Sequence, residues 1–346
     1  MYDLVVRKNI EEVKSVFWEL NQNTYSVLYR SKSWLTDSQK RLGDIDIYIE
    51  VYKDNKPVIL FPIVVFNKRS DYPPVDPHKI VEQALQKRID EPVAMCASFF
   101  GLGCAVIVNE KEIVDWEFIF NKLSRLVRKE YNCSHIVFAY QSIKDDPWVK
   151  DSSAKNVLIK VPHKEFGLLD LKKFSNYEDY LRSFTSKQRN NFRREENLIV
   201  RNGVVALRKH ILDLDLDTVG ILASNVFRKY GNEVSPNRLS SFAKYIAEQF
   251  PAASGCFTCW KDGVLLSYAL YIEYSGVLYI KMLGRDYELD KYQSYFHVCY
   301  HQPIQYAFER GIRYLDYGSG ASATKVKRGI EMVESYSYTL FKGDIL

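Results

Sequence analysis

Apolar and polar residues alternate from Ile45 to Tyr52, with Ile45, Ile47, Ile49 and Val51 set against Asp46, Tyr48 and Glu50. A period of two is that of a strand with one face buried. Lys53-Asp54-Asn55-Lys56-Pro57 reads as a turn, and Val58 to Phe66 as a second, mostly buried strand. Pro73, Pro74 and Pro77 make Ser70 to Pro77 a loop. Helical spacing follows at Ile80, Ala84 and Leu85, within His78 to Arg88. Trp116, Ile119, Phe120, Leu123, Leu126 and Val127 mark an amphipathic helix, and His135 to Tyr140 a strand after it.

Ser175-Asn176-Tyr177-Glu178 is a capping-box sequence, opening a helix that carries Leu181, Phe184, Phe192 and Ile199 towards a core. Three strands follow, Cys256 to Trp260, Val264 to Tyr274 and Val277 to Leu283, with turn signals at Asp262-Gly263 and Ser275-Gly276. A helix covers Ser294 to Arg310, kinked at Pro303 and ended by Gly311. Tyr314 to Tyr317 is a strand. Both halves hold a hairpin with a Lys-Asp turn, a later amphipathic helix and a strand directly after it. This is the order of an α/β protein with a weak structural duplication, unless common elements coincide. The expected lobes are 1–165 and 166–346.

At 346 residues, 47% of them hydrophobic and 26% charged, the chain has the usage of a folded globular protein and not of a disordered one. A net charge of +5 permits an anionic ligand without demanding one. The longest apolar stretch, Val58 to Phe66, is far short of the ~20 residues of a membrane-spanning helix. The opening residues lack the basic-then-apolar layout of a signal peptide, and the six cysteines form no disulfide framework. A cytoplasmic location with reduced thiols is expected.

The stretch with most chemistry runs from Gly311 to Gly329. A strand carries Asp316 and Tyr317 to its carboxyl end, and Gly318-Ser319-Gly320 follows, where backbone amides can approach a ligand closely. Lys325, Lys327 and Arg328 add positive charge. Strand ends beside such loops are where α/β proteins place ligands; the competing reading is a tight connection with a solvated basic face. Arg189 and Arg193 lie on one helix face, opposite Phe184 and Phe192. They suit the phosphates of a donor or an acidic acceptor, or form a solvated face partnered by Glu195 and Glu196. Cys256 and Cys259 have no second pair, and in a strand their spacing turns the sulfurs to opposite faces. His297 and His301 share a helix face without a carboxylate beside them in that helix, so they read as core or rim histidines. No metal is expected.

Three stretches resemble, in order, FemAB-like and related GNAT-type acyltransferases. One is Asp316-Tyr317-Gly318-Ser319-Gly320, then four residues, Lys325, two residues and Arg328-Gly329. The others are Tyr180 to Arg194, and Gly284-Arg285-Asp286-Tyr287 with Ser294 at a helix start. Together they span Phe174 to Leu346; the N-terminal half fits by element order. The resemblance implies two GNAT-like lobes, each a mixed β-sheet flanked by helices, with substrate in the cleft between them. It implies direct attack by an amine on an activated acyl group, without a covalent enzyme intermediate, a metal or a tightly bound cofactor. The donor is then acyl-CoA or a similar thioester, or, as in FemX-type enzymes, aminoacyl-tRNA. The acceptor is a small-molecule or peptide amine; tRNA, not DNA, is the nucleic acid that fits.

Amine attack requires a proton acceptor, for which Asp316 is the candidate unless it caps the nearby loop. The developing oxyanion requires a donor or cation, for which Lys325 stands where the family keeps a lysine. Tyr317 completes the catalytic candidates. Arg189, Arg193, Arg285, Ser294, Gly318, Ser319, Gly320 and Arg328 are the candidates for donor or substrate binding. The Arg/Gln-x-x-Gly-x-Gly/Ala loop that holds the coenzyme A pyrophosphate in ordinary acetyltransferases is absent, as it commonly is in FemAB-like proteins. That absence favours a non-catalytic binding module; the Gly-rich loop followed by Lys325 favours an enzyme.

Overall fold

The alternating segment and the apolar run after it pair antiparallel across a turn at Asp54 and Asn55, both at positive φ (49° and 63°). In the computed structural model, which describes residues 1–20, 24–38, 43–70, 76–98, 105–142 and 158–340, they are β2 (Ile45–Lys53) and β3 (Lys56–Phe66), beside β1 (Tyr2–Arg7). The same sheet holds β4 (Val93–Cys96), β5 (Ile107–Val108), β6 (His135–Gln141) and β7 (Leu158–Pro162). Its order is β1-β2-β3-β4-β6-β15-β7, with β5 on β3, where β15 is the last of the described strands, Tyr336–Leu340. The β4–β6 pair is parallel and the pairs on either side of it, β3–β4 and β6–β15, are antiparallel, so the sheet is mixed. Alternate residues of β3 feed two cores: Val65 packs with Ile119, Phe120 and Leu123 of the Trp116–Tyr131 helix, Val64 with Ile80 and Val81 of the Pro77–Leu85 helix. Residues 71–75 of the expected loop lie outside the described residues.

The second sheet contains β8 (Phe166–Asp170), β9 (Val205–Lys209), β10 (Ser254–Lys261), β11 (Val264–Tyr274), β12 (Val277–Arg285), β13 (Tyr314–Ser319) and β14 (Glu331–Val333), in the order β14-β8-β13-β12-β11-β10-β9. Asp262-Gly263 and Ser275-Gly276 make the two hairpin turns, all four residues at positive φ, the backbone that two-residue hairpins need. β12 and β13 are parallel and their outer neighbours antiparallel. Two mixed sheets flanked by helices are the α/β class expected.

Two helices differ from expectation. The one foreseen from Ser175 is two, Tyr177–Arg182 and Ser186–Arg201, because Thr185 and Gln188 form a capping box that restarts the chain. Asn176, not Ser175, caps the first; Ser175 donates instead to the Asp179 carboxylate. The helix from Ser294 is interrupted by a π turn, His297–His301, before Gln302–Glu309. Pro303 has no N–H to give to the preceding turn and its ring crowds the carbonyl there, so the turn widens.

The chain makes two compact units, Met1–Glu165 with Val333–Leu346, and Phe166–Met332. β15 is the departure from a second lobe running unbroken to 346. It pairs with β6 and β7, and Tyr338 and Leu340 bury in the first core.

Candidate active site

β12 and β13 pair over three residues, Val277–Tyr279 with Tyr314–Asp316. β12 continues to Arg285 and β13 to Ser319, so the strands part after Tyr279 and Asp316 and open a fork within the sheet. Both are irregular at that point. On β12, Ile280 faces Tyr271 and Met282 faces Leu270, which leaves Lys281 as the extra residue of a β-bulge. On β13, Asp316 faces Leu168 and Ser319 faces Phe166, so Tyr317 and Gly318 stand against Gly167 alone. Bulges re-aim side chains and recur beside active sites.

Charges collect at the fork. Asp316 is buried, and its Oδ1 accepts the Gly318 amide at 2.7 Å. Lys325, on the short Ser322–Val326 helix, runs its stem over Gly167, where a Cβ would lie 2.8 Å from Lys325 Cδ. Its Nζ donates to the carbonyls of Tyr317 (2.8 Å), Gly318 (2.6 Å) and Ser319 (3.1 Å). An ammonium has three protons, and all three are taken. Burial pulls Lys325 down to about 8, with the Asp316 charge acting against the shift. Lys281 is half-buried; desolvation brings it also to about 8, again opposed by Asp316. The loop between carries positive φ at Gly318 (60°), Gly320 (81°) and Ala321 (51°), and Ser319 and Gly320 are exposed.

Tyr317 points into the apolar core, its ring 5.5 Å from that of Tyr300. Its hydroxyl finds no hydrogen-bond partner among the described residues, and burial pushes its pKa well above the usual value. Arg328 is buried too. It makes a two-pronged pair with Glu195 (2.9 and 2.6 Å) and lies over the ring of Phe192. Glu195 in turn holds His301 Nε2 at 2.9 Å, while His301 Nδ1 meets Tyr177 Oη at 3.1 Å and Glu196 at 3.3 Å. Burial alone would lower His301, but the two glutamates raise it above its ordinary value; burial alone would raise Glu195, but His301 and Arg328 hold it below. Arg328 is therefore committed to this internal cluster. His297 stacks on His301 at 5.4 Å, and burial lowers it to about 4.

Arg189 donates to the Phe184 carbonyl and to Ser186 Oγ, bridging the break between the two helices; Arg193 is exposed. Arg285 and Ser294 meet at a third cluster. Arg285 Nε lies 2.7 Å from Asp290 Oδ2, and Asp290 Oδ1 accepts the amides of Tyr292 (3.2 Å) and Ser294 (3.1 Å). Ser294 Oγ is 2.7 Å from Ser267 Oγ. Cys256 and Cys259 are buried thiols that burial pushes up, Cys259 to about 12, and no metal-holding group of three ligands occurs among the described residues. The structure thus gathers Asp316, Gly318, Ser319, Gly320 and Lys325 at the fork and disperses the remaining candidates. Lys281 and the Glu195–His301 pair were not foreseen. A single lysine within the apolar run Val277 to Leu283 was the available signal for the first.

Residues 103–344 match the FemAB-like family, described as peptidoglycan biosynthesis/recognition, and the chain belongs to that family. Its fold is similar to that of FemX, at 11% identity over 98% of this chain and 97% of that one, TM-score 0.67. It is also similar to the C-terminal domain of a putative lysylphosphatidylglycerol synthetase from Agrobacterium fabrum, at 10% identity over 96% and 91%, TM-score 0.56. A tandem GNAT protein from the clavulanic acid biosynthesis pathway is similar at 10% identity over 98% of each chain, TM-score 0.55. No curated protein matches by sequence. The fold that the chain shares with these structures is of the GNAT type. Among the described residues no helix is long and apolar enough to cross a membrane.

Proposed function

We propose that this protein transfers an aminoacyl group from an aminoacyl-tRNA ester to an amine, with the fork between β12 and β13 as the reaction centre. The observation that carries the donor class is Asp290. A helix leaving a fork strand offers its first amides as a phosphate site. Here the Asp290 carboxylate already takes the amide of Ser294, the first of that helix, together with that of Tyr292 just before it, and is paired with Arg285. A coenzyme A pyrophosphate would compete with a buried internal anion for the same donors. The acyl-CoA donor, first in the sequence reading, therefore gives way to a donor without that pyrophosphate. FemX-type enzymes, which this chain resembles, use aminoacyl-tRNA.

In the reaction the acceptor nitrogen bonds to the ester carbonyl carbon and the ribose oxygen leaves. Lys325 collects three successive carbonyls. In a trans peptide N–H and C=O point oppositely, so the amides of Ser319 and Gly320 are turned away from Lys325. Amides held this way suit an oxyanion, and Lys325 then acts by shaping the loop. The family description favours a peptide amine of cell-wall chemistry as acceptor.

Thermal shift tests the donor. Stable amide analogues of 3′-aminoacyl-adenosine should raise Tm, by about 2.7 kcal/mol of stabilisation at a hundredfold excess over Kd, while coenzyme A and acetyl-CoA should not. A shift with acetyl-CoA alone reverses the donor. Silence from both favours a binding module without catalysis.

A further inference from the structure

The transfer needs a proton acceptor, and the geometry of the fork points away from the carboxylate and towards an amine. We propose that Lys281 is the general base, taking the proton of the acceptor nitrogen and returning it to the departing ribose oxygen. This rests on the transferase reading of the fork.

Position is the first argument. Lys281 is the inserted residue of the β12 bulge, two residues past the last β12–β13 pair. Its neighbours Ile280 and Met282 are 8% and 5% exposed. A lysine between them sacrifices packing that any aliphatic residue would supply, and the bulge re-aims it where the strands part.

Charge is the second. Asp316 has two cations acting with it, Lys281 and Lys325, and its Oδ1 already accepts the Gly318 amide. That oxygen is therefore already engaged within the loop. Desolvation disfavours the charged form of Lys281, and the Asp316 carboxylate, the charged group that acts on it, is shared with Lys325. Its value of about 8 leaves a usable fraction of neutral amine at neutral pH, the range to which enzymes tune a catalytic lysine.

The step balances without a further reactant. The acceptor nitrogen forms a C–N bond, its surplus proton passes to Lys281 Nζ, the ester C–O bond breaks, and the proton moves on to the ribose oxygen. Lys281 ends as it began.

Two measurements on the intact protein test this. The first needs no substrate: acetylation by N-hydroxysulfosuccinimidyl acetate between pH 6.5 and 10, followed residue by residue by peptide mass spectrometry. Lys281 should label with a midpoint near 8, well below exposed Lys187 and Lys327. Asp316→Asn should lower that midpoint further. A midpoint shared with the exposed lysines, or no labelling where they label fully, ends the proposal. The second uses the donor that turns over. Lys281→Gln should lose roughly 10²–10⁴ in kcat/KM together with the pH-rate limb near 8. Lys281→Arg, charged but unable to lose its proton, should not restore it. Rescue by arginine would make the residue an electrostatic donor and overturn the base assignment. Normal labelling with no donor accepted would remove the transferase reading, and the base role with it.

Discussion

An ammonium with every proton on a carbonyl is a strut. Lys325→Met should leave the carbonyls of Tyr317, Gly318 and Ser319 without their donor, at about 1–3 kcal/mol for a buried group so stranded. Lys327→Met, two residues on and exposed, should change stability by no more than about 0.5 kcal/mol. Thermal melts of the pair check this; equal melting temperatures would return Lys325 to the direct oxyanion role. A buried histidine between two glutamates makes a second residue-level prediction. His301 lies above its ordinary 6.5, so the stability it contributes is full below that value and is lost as pH rises through the folded pKa. Glu195 and Glu196 lie below their ordinary 4.5; their contribution is present above that value and lost as pH falls through the folded pKa. The urea midpoint should therefore decline on the alkaline side of 6.5, and His301→Gln should abolish the decline. A parent protein with a flat alkaline profile rules this out.

At the scale of elements, the segment from Gly318 to Gly329 is held by backbone shape as much as by side chains. Gly329 has φ +70°, and a Cβ there would meet Phe184 Cζ at 3.0 Å. The carbonyl of the residue before it, Arg328, accepts from Tyr180 Oη at 2.7 Å. Gly329→Ala should cost at least the ~1–2 kcal/mol of a left-handed residue, and more than Gly318→Ala, where φ is +60° but nothing lies within 4 Å. Chemical denaturation of both variants gives the order. Strands and hairpin turns were legible because alternation and Asp-Gly or Ser-Gly pairs are local signals. The fork was not, since a bulge at Lys281 exists only as a register between β11 and β12. Nor was the Arg328–Glu195–His301 cluster. Glu195 and Glu196 follow Arg193 and Arg194, and such a run reads as a solvated face until the fold brings partners from more than a hundred residues away. The capping box at Thr185 was local and visible, and the continuous apolar spacing across it concealed the break.

For the molecule as a whole, the informative feature is the return of the last described strand to the first sheet. Periodicity shows that Tyr336–Leu340 is a strand but not which sheet it joins, so a division at 165/166 was as far as the sequence could be taken. β15 sits between β6 and β7, paired to both over its length. A chain ended after Glu334 would lose the inner strand of that end of the sheet. β7 would have no neighbour on the β6 side, and β6 would expose a row of amides and carbonyls. It would also lose Tyr338 and Leu340 from the first core, each worth about 1.5–3 kcal/mol when fully buried. The strands of the second sheet, from β8 to β14, would all remain. Hydrogen exchange should locate the damage. Amides of β6, His135–Gln141, should lose protection in the shortened chain, while those of β10 to β12 keep theirs. Uniform loss across both sheets would mean that the two units fold as one cooperative block, and intact protection in β6 would mean that β15 is dispensable to its sheet.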